Sequence, residues 1–532
     1  MTSSNPALEF LRAGLDSYAD VLQQSGDLHD PVFDESTQYG TAYHAYGNAV
    51  VAVMAHRAGD QETADLHADR ARRGLDAALT HTADPDLPAA ASGFSPVTGA
   101  VSRGNHRDFT WPPILKTYRL LRELGLAGEE TAARIRDVDI MASFRSRPPS
   151  NWASVWLSGE WIRIREGLSP FGVTEVDTWL DAFFEQLLDV DRGFYAEPGL
   201  PNSYDLFTRF HLADLLQEGY DGRWASELTR LLDTGLARSR AVQLSDGSLA
   251  SAHRSAGQTW TLGAQIAYFT HVGADDAATR AFASMRRFQR ADGPFSPVEN
   301  ALPPSFRVGY ERYTADGHYG NLALGFLATA VLGGFTGADA VPPERPTAIR
   351  VEAEPTYRAV LHAGRYSAAV DAAPHPSYDA FGVTDVTFGP DRILHFASSV
   401  RHLESGRLLN LGLDVEGLER TGPIEQVGPR AVRVTATDGE GAPYTQTVEV
   451  AETGVTVTEQ LGGASEPSAL LVPFLRDAGT GETTRVERTP DGIRLLHGRE
   501  RVSVTVEAPV TRCVVLEYGF TNRRGLCGLV RL

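Results

Sequence analysis

The segment from Ser150 to Trp161 is crowded with aromatic and polar side chains. Three of the seven tryptophans in the chain lie within ten positions, and the first two, Trp152 and Trp156, follow closely on Asn151. Indole rings beside an asparagine suit a sugar-binding cleft, because aromatic faces pack on the apolar faces of pyranose rings. The alternative interpretation is a helix N-cap followed by ordinary core tryptophans.

A second segment, from Asp191 to His211, combines tyrosines, carboxylates and a histidine. On a helix that begins near Asn202, the side chains of Tyr204, Phe207 and His211 share one face. Tyr204 would lie in the first turn, where the helix dipole favours an anion, and its hydroxyl could exchange a proton with a sugar. The alternative is that the two aromatic residues are core and the histidine has no chemical role.

A third segment, ending at Trp260, places His253 beside Arg254 in a loop that precedes a predicted helix. An arginine can bind a carboxylate through two parallel hydrogen bonds, so this pair could hold an acidic group. A surface His-Arg dipeptide without function is the alternative. Tyr310 and His318, in a long loop before the last predicted helix, are further candidates for the edge of a cleft.

Several kinds of site are missing from the sequence. It contains no G-x-x-x-x-G-K-[ST], H-E-x-x-H or C-x-x-C motif, so nothing indicates a nucleotide site or a catalytic zinc. The two cysteines, Cys513 and Cys527, are too few for a disulfide framework or a metal centre. We therefore expect no cofactor and no metal.

The composition limits the partners and the location. Forty-nine basic residues against 68 acidic ones give 49 − 68 = −19, which argues against a nucleic-acid partner. An acidic oligosaccharide stays possible, because a local Arg/His pocket can lie within an acidic surface. The first ten residues lack the features of a secretion signal, and no apolar run reaches the roughly 18 residues that span a bilayer. We expect a cytoplasmic protein with no membrane partner.

Apolar residues recur at three- and four-residue spacing over most of the first 335 residues, which predicts a series of helices. The predicted helices are Ala7–Gln23, Thr41–Arg57, Thr63–Leu79, Pro113–Leu124, Asn151–Arg165, Glu175–Leu188, Ser203–Gln217, Arg223–Leu236, Gln258–Thr270, Ala277–Arg287 and Tyr319–Leu332. No strand pattern alternates with them, which excludes a parallel α/β fold. The irregular loops favour an (α/α) toroid of helical hairpins, residues 1–336, over an open solenoid.

After a proline-rich linker the period changes to two, which predicts an antiparallel β-sandwich over residues 347–532. The strand-like segments are Ile349–Ala353, Ala431–Ala436, Tyr444–Val450, Val455–Glu459 and Val502–Glu507. The predicted fold is therefore a two-domain chain in which a helical toroid precedes a β-sandwich of about a dozen strands.

With these segments in view, the chain resembles the heparinase II/III-like group of polysaccharide lyases. The resemblance lies in Ser150-Asn151-Trp152 opening a helix, in the element from Asp191 to Tyr204, and in the turn Ser245-Asp246-Gly247. Asn151-Trp152 is also similar to the Asn-Trp motif of hyaluronate and chondroitin lyases. The histidine motif that this group carries in its β-domain is not clear here, and His375 is the nearest candidate.

The resemblance implies cleavage by β-elimination next to a uronic acid. Asn151 would hold the carboxylate with help from Arg254 or His253, and Tyr204 would protonate the departing oxygen and act as base. His253 is the alternative base. Three tryptophans would be sugar platforms, with two histidines in reserve: Trp152, Trp156, Trp260, His211 and His318.

Two other functions stay open on the sequence alone. A glycoside hydrolase on the same toroid would need two carboxylates about 5–10 Å apart. The candidates for such a pair are Glu160, Glu197, Asp205 and Glu311. A sugar-binding protein without catalysis would keep the cleft but have no working acid or base.

Overall fold

A computed structural model describes most of the chain. The described residues are 5–30, 35–37, 39–83, 107–141, 150–291, 293–306, 314–337, 344–375, 377–389, 396–397, 399–463, 469–498, 500–507, 510 and 512–532. Tyr310 and Glu311, which the sequence analysis names as candidates, lie outside them.

The first part of the described chain forms twelve α-helices. They are α1 (Pro6–Asp16), α2 (Tyr39–Ala58), α3 (Gln61–Ala83), α4 (Trp111–Glu123), α5 (Glu129–Arg136), α6 (Asn151–Arg165), α7 (Val173–Gln186), α8 (Asn202–Gln217), α9 (Ala225–Val242), α10 (Trp260–His271), α11 (Asp275–Met285) and α12 (Asn321–Leu332). Eleven coincide with predicted helices. Helix α5, which buries only Ala132 and Ile135, has too little apolar periodicity to be predicted.

The even-numbered helices form a closed inner ring. Helix α2 packs on α4, α4 on α6, α6 on α8, α8 on α10 and α10 on α12, and α12 returns to α2. The odd-numbered helices lie outside this ring. Inner helices such as α12 are buried on nearly all sides, whereas outer helices such as α9 bury one stripe, as the two environments require. The fold of this part is an (α/α) toroid of six hairpins.

The chain after α12 is antiparallel β-structure, and four short strands lie among the helices. The strands are β1 (His29–Asp30), β2 (Glu35–Ser36), β3 (Leu188–Asp189), β4 (Phe194–Tyr195), β5 (Arg345–Glu352), β6 (Arg358–Gly364), β7 (Tyr366–Asp371), β8 (Gly382–Thr387), β9 (Phe396–Ala397), β10 (Val400–His402), β11 (Leu408–Leu409), β12 (Gly412–Leu413), β13 (Glu419–Arg420), β14 (Glu425–Gly428), β15 (Ala431–Thr437), β16 (Pro443–Ala451), β17 (Gly454–Leu461), β18 (Leu470–Asp477), β19 (Thr484–Thr489), β20 (Gly492–His497), β21 (Glu500–Thr505), β22 (Val514–Asn522) and β23 (Gly525–Arg531).

The predicted class, a toroid followed by an antiparallel β-sandwich, is confirmed. Strands β5–β9 form one sheet, which packs on the sheet of β13–β17, and a third sheet is ordered β11-β10-β22-β23-β18-β12. Strand β16 shows why the period of two predicts this: Tyr444, Gln446, Val448 and Val450 are buried, while the residues that alternate with them are partly or fully exposed. The described residues after 344 carry nineteen strands, more than the dozen predicted.

Buried ion pairs and a buried hydrogen bond from a charged side chain join the two halves of the chain. Arg238 on α9 binds Glu352 on β5 at 2.7 Å, Arg523 reaches the carbonyl oxygen of His253, and Arg524 binds Glu299. Each of these charges has a partner, which is the condition under which burying it is tolerable. The β-domain is thereby tied to the loops that precede the inner helices.

No described helix combines the length and the apolarity needed to cross a membrane.

The Glu299 carboxyl group predicts a pH dependence of folding stability. Burial raises its pKa to about 7 from the ordinary 4.5, although Arg524 opposes the rise. The folded protein therefore holds this proton more tightly than the unfolded chain. The proton's contribution to the free energy of unfolding is complete below pH 4.5 and is lost as the pH rises through about 7. Glu299→Gln, which mimics the protonated acid, should remove a decline of about 1–3 kcal/mol from the free energy of unfolding.

Urea unfolding at pH 5 and pH 8 measures this effect for the wild type and for Glu299→Gln. The exposed Glu440 provides the control, since Glu440→Gln should leave the wild-type decline unchanged. An equal loss of stability between the two pH values in the wild type and in Glu299→Gln would contradict the assignment.

Candidate active site

A chain of aromatic rings links the starts of the inner helices. Each ring belongs to the first two turns of an inner helix or to the residues just before it. The contacts are Tyr39–Tyr319 (5.9 Å between ring centroids), Tyr39–Phe109 (5.5 Å), Phe109–Trp152 (5.8 Å), Phe109–Phe207 (5.2 Å) and Phe207–Trp260 (5.6 Å). All six inner helices therefore begin at the same end of the ring, and the positive ends of their dipoles point there.

A carboxylate, Glu197, lies at this end and accepts from three side chains. The Asn151 amide nitrogen donates to its Oε2 at 2.8 Å, and the Tyr195 hydroxyl donates to the same oxygen at 2.9 Å. Arg254 donates from Nη2 to Oε1 at 2.8 Å. We call the set Asn151, Tyr195, Glu197, Tyr204 and Arg254 the Glu197 cluster.

The hairpin β3–β4 places Glu197 in the cluster. It leads directly into the loop that carries this residue, and the backbone N–H of Tyr195 donates to Oδ1 of Asp205 at 2.8 Å. Asp205 is buried, and Arg209 and Arg238 keep the pKa of its carboxyl group below its ordinary value against the effect of burial. The hairpin is thus fastened to a charged group that stays ionised.

Tyr204 and Arg254 form the open side of the cluster. The Arg254 guanidinium lies 4.9 Å from the centre of the Tyr204 ring, within the range of a cation–π contact. The Tyr204 hydroxyl lies 3.2 Å from the Ser255 hydroxyl. Although burial opposes it, Tyr204 and Glu197 raise the pKa of Arg254, so it remains a cation. The Arg254 side chain is 44% exposed, which makes it the solvent-facing charge of the cluster.

His253 lies beside the cluster in a strained backbone conformation. Its φ is +63°, its N–H donates to Asp379 and its carbonyl oxygen accepts from Arg523 at 3.0 Å. Burial, followed by His375 and nearby arginines, lowers the pKa of its imidazole to about 3. Gly199 lies against the ring, where a Cβ would come within 2.4 Å of Nε2. His253 is therefore neutral and weakly basic near neutral pH, which disfavours it as a general base.

The β-domain reaches the same place with two further side chains. The His375 ring lies 4.8 Å from that of His253, and the Tyr378 ring lies 4.7 Å from it. Arg523 holds this contact, since it binds the carbonyl oxygens of His253 and Tyr378 and the Asp379 carboxylate. The sequence offered one signal for this arrangement, the histidine and tyrosine three positions apart.

Tyr39 was not predicted, whereas Tyr319 belongs to the segment from Tyr310 that the sequence indicated as a possible edge of a cleft. Tyr39 and Tyr319 meet at the starts of α2 and α12, and their ring contact fits no local motif in the sequence. Burial raises the pKa of Tyr319 to about 12, with Tyr204 adding to the rise. Burial also raises the pKa of Tyr195 and of Tyr378. These three hydroxyl groups are therefore poor proton acceptors near neutral pH.

Four predicted substrate-binding residues have no face to offer a sugar. Trp156 is 0% exposed and Trp260 3%, the latter bound through Nε1 to Gln258. His211 is packed among Phe207, Phe210 and Phe326, and burial lowers the pKa of its imidazole. His318 is 2% exposed behind Tyr39. The structure places these four side chains in the core, and helical spacing in the sequence does not separate a cleft face from a core face.

The predicted carboxylates behave differently from one another. Glu160 is fully buried against Arg163 and Ser169, and Asp205 binds the hairpin, so Glu197 is the one of these three described candidates that lies in the cluster. Within the described ranges, no group of three or more histidine, cysteine, aspartate or glutamate side chains is arranged to hold a metal ion. The chemistry that the cluster itself offers is hydrogen bonding, charge stabilisation and proton transfer.

The fold and the cluster define an (α/α) toroid with a polar site at the start of its inner helices. No family model matches the sequence, and no curated protein matches it. Among solved structures, a family 88 glycosyl hydrolase from Bacteroides vulgatus is 12% identical with a TM-score of 0.40, covering 62% of this chain and 98% of its own. A polysaccharide lyase is 12% identical with a TM-score of 0.41, covering 61% and 98%.

Heparinase III is similar over 91% of this chain and 89% of its own, at 10% identity and a TM-score of 0.33. The neighbours thus include both lyases and hydrolases that act on carbohydrates. Because these TM-scores are low, the similarities say nothing about activity. The closed ring of contacts between the inner helices is what defines the toroid.

The protonation state of the His253 imidazole can be measured directly. Because its pKa is about 3, its imidazole should show no protonation step between pH 5 and pH 8. Histidine ring signals followed by nuclear magnetic resonance report this, with His253→Gln used to assign the signal. A midpoint near pH 6.5, the ordinary value, would contradict the proposed burial and charge effects.

Proposed function

We propose that this protein is a carbohydrate-active enzyme, a lyase that cleaves uronic-acid-containing oligosaccharides by β-elimination. One observation carries the proposal. Asn151 and Arg254 bind the same carboxylate, Glu197, and Arg254 also covers the ring of Tyr204. An amide donor, a cation and a phenol therefore converge in one cluster, and this convergence supports an elimination, which uses all three.

The first requirement of the reaction is to neutralise the carboxylate of the uronic acid. The proton at C5 becomes acidic enough to remove only when negative charge developing on that carboxylate is stabilised. The second Asn151 N–H and the exposed N–H groups of Arg254 supply such stabilisation. The positive ends of the inner helices act in the same direction, which supports an anionic substrate.

The second requirement is a proton carrier. We assign both transfers to Tyr204: its phenolate oxygen takes the C5 proton, the C4–O bond breaks, and the same hydroxyl protonates the departing oxygen while a C4=C5 double bond forms. His253 is too weak a base for the first step, and the three neighbouring tyrosines are held protonated. Trp152, half-buried beside Phe109, is the proposed platform for a sugar ring.

Hydrolysis has weaker support in the described residues. It needs a second carboxylate facing Glu197 across the bond. Asp205 and Glu160 are buried and paired with arginines, and Glu311 lies outside the described residues. We propose residues 1–336 as the catalytic domain and residues 347–532 as the domain that supports its loops.

Tyr204→Phe should lower turnover about 10²–10⁴-fold with little change in substrate binding, because only the hydroxyl is lost. Product formation is followed by the near-ultraviolet absorbance of the unsaturated uronate across a panel of uronate oligosaccharides. Tyr518→Phe is a matched control, since Tyr518 also has an arginine, Arg476, over its ring. Full turnover in Tyr204→Phe, or products that carry added water and no double bond, would rule out the mechanism.

Arg254→Ala should weaken binding of an acidic oligosaccharide about tenfold to a hundredfold, the cost of one charge-assisted contact. Calorimetric titration measures it, and Arg476→Ala on the β-domain surface provides the control. Unchanged affinity in Arg254→Ala would mean that the substrate carboxylate binds elsewhere.

A further inference from the structure

The Glu197 carboxylate imposes a direction on its neighbours. An ionised carboxylate only accepts hydrogen bonds, whereas an asparagine side chain has one accepting oxygen and one donating nitrogen. Because Glu197 accepts from Asn151, the amide nitrogen must face it. The second N–H of that nitrogen therefore also lies beside Glu197.

Arg254 is held by the same group from the other side. One of its five N–H groups is used on Oε1 of Glu197, and the side chain remains 44% exposed. Glu197 itself is only 11% exposed, and the Tyr195 hydroxyl donates a further hydrogen bond to its Oε2. Two donors from different helices and loops thus share one rigid acceptor.

We infer that Glu197 is a positioning residue that holds Asn151 and Arg254 as a paired site for one substrate carboxylate. The inference rests on the proposed function and assigns to Glu197 no proton transfer and no bond to the sugar. Glu197 acts through the two donors: it fixes the orientation of the Asn151 amide and the position of the Arg254 guanidinium.

Replacing Glu197 by glutamine would disturb this arrangement without changing its size. A glutamine presents one NH₂ group, which would face a donor on either side: Arg254, or the pair Asn151 and Tyr195. The conflict is relieved when the Asn151 amide turns over and offers its oxygen. An acceptor then stands where the substrate carboxylate needs a donor.

Binding measured in the Tyr204→Phe background, where elimination is blocked, tests the inference. The probes are a uronate oligosaccharide and the same compound with its carboxyl groups reduced to alcohols. Glu197→Gln should weaken binding of the acidic probe about tenfold or more and leave the neutral probe unchanged. Glu459→Gln is the matched control, because Glu459 also accepts from a tyrosine hydroxyl and an amide.

A double-mutant cycle distinguishes positioning from general damage. If Glu197 acts through Asn151, the losses from Glu197→Gln and Asn151→Ala should be strongly non-additive. Additive losses, unchanged affinity for the acidic probe, or equal losses for both probes would overturn the inference. If the wild type binds the acidic probe selectively but forms no unsaturated product, the proposed elimination is wrong and the paired site stands. If the wild type shows no preference for the acidic probe, the paired site is wrong as well.

Discussion

Three donors converge on one carboxylate at the open end of the toroid, and the rest of the site is arranged around that contact. Glu197 brings an amide from the start of α6, a phenol from β4 and a guanidinium from the loop before α10 to one point. These three elements are far apart in the sequence. The contact depends in turn on Asp205, whose charge fastens the hairpin behind it.

The supporting charges extend into the β-domain. Arg238 binds both Asp205 and Glu352, so a buried chain of opposite charges runs from the hairpin to strand β5. Breaking one member of such a chain leaves its partner charged and desolvated, which costs several kcal/mol, about 3–5 in measured cases. The β-domain is therefore part of what holds the site in place, and it supplies His375 and Tyr378 to the wall beside His253.

A net charge of −19 and the proposed binding of an anionic sugar are compatible because the two act at different ranges. The surface charges are screened by salt over about 8–10 Å. In the proposed site, the Arg254 cation and the positive ends of the inner helices would act on the bound group locally. The local field, and not the overall charge, governs which sugar the proposed enzyme accepts.

Apolar spacing of three and four residues determined the helices, and spacing of two determined strands such as β16, because each pattern reports which side of an element is buried. Residue types also singled out Asn151, Tyr204 and Arg254. The sequence could not separate these from Trp156, Trp260 and His211, which lie on equally polar or aromatic segments but face the core. Only ring closure decided that six distant helix starts share one end, since that depends on packing between elements and not on the pattern within any one of them.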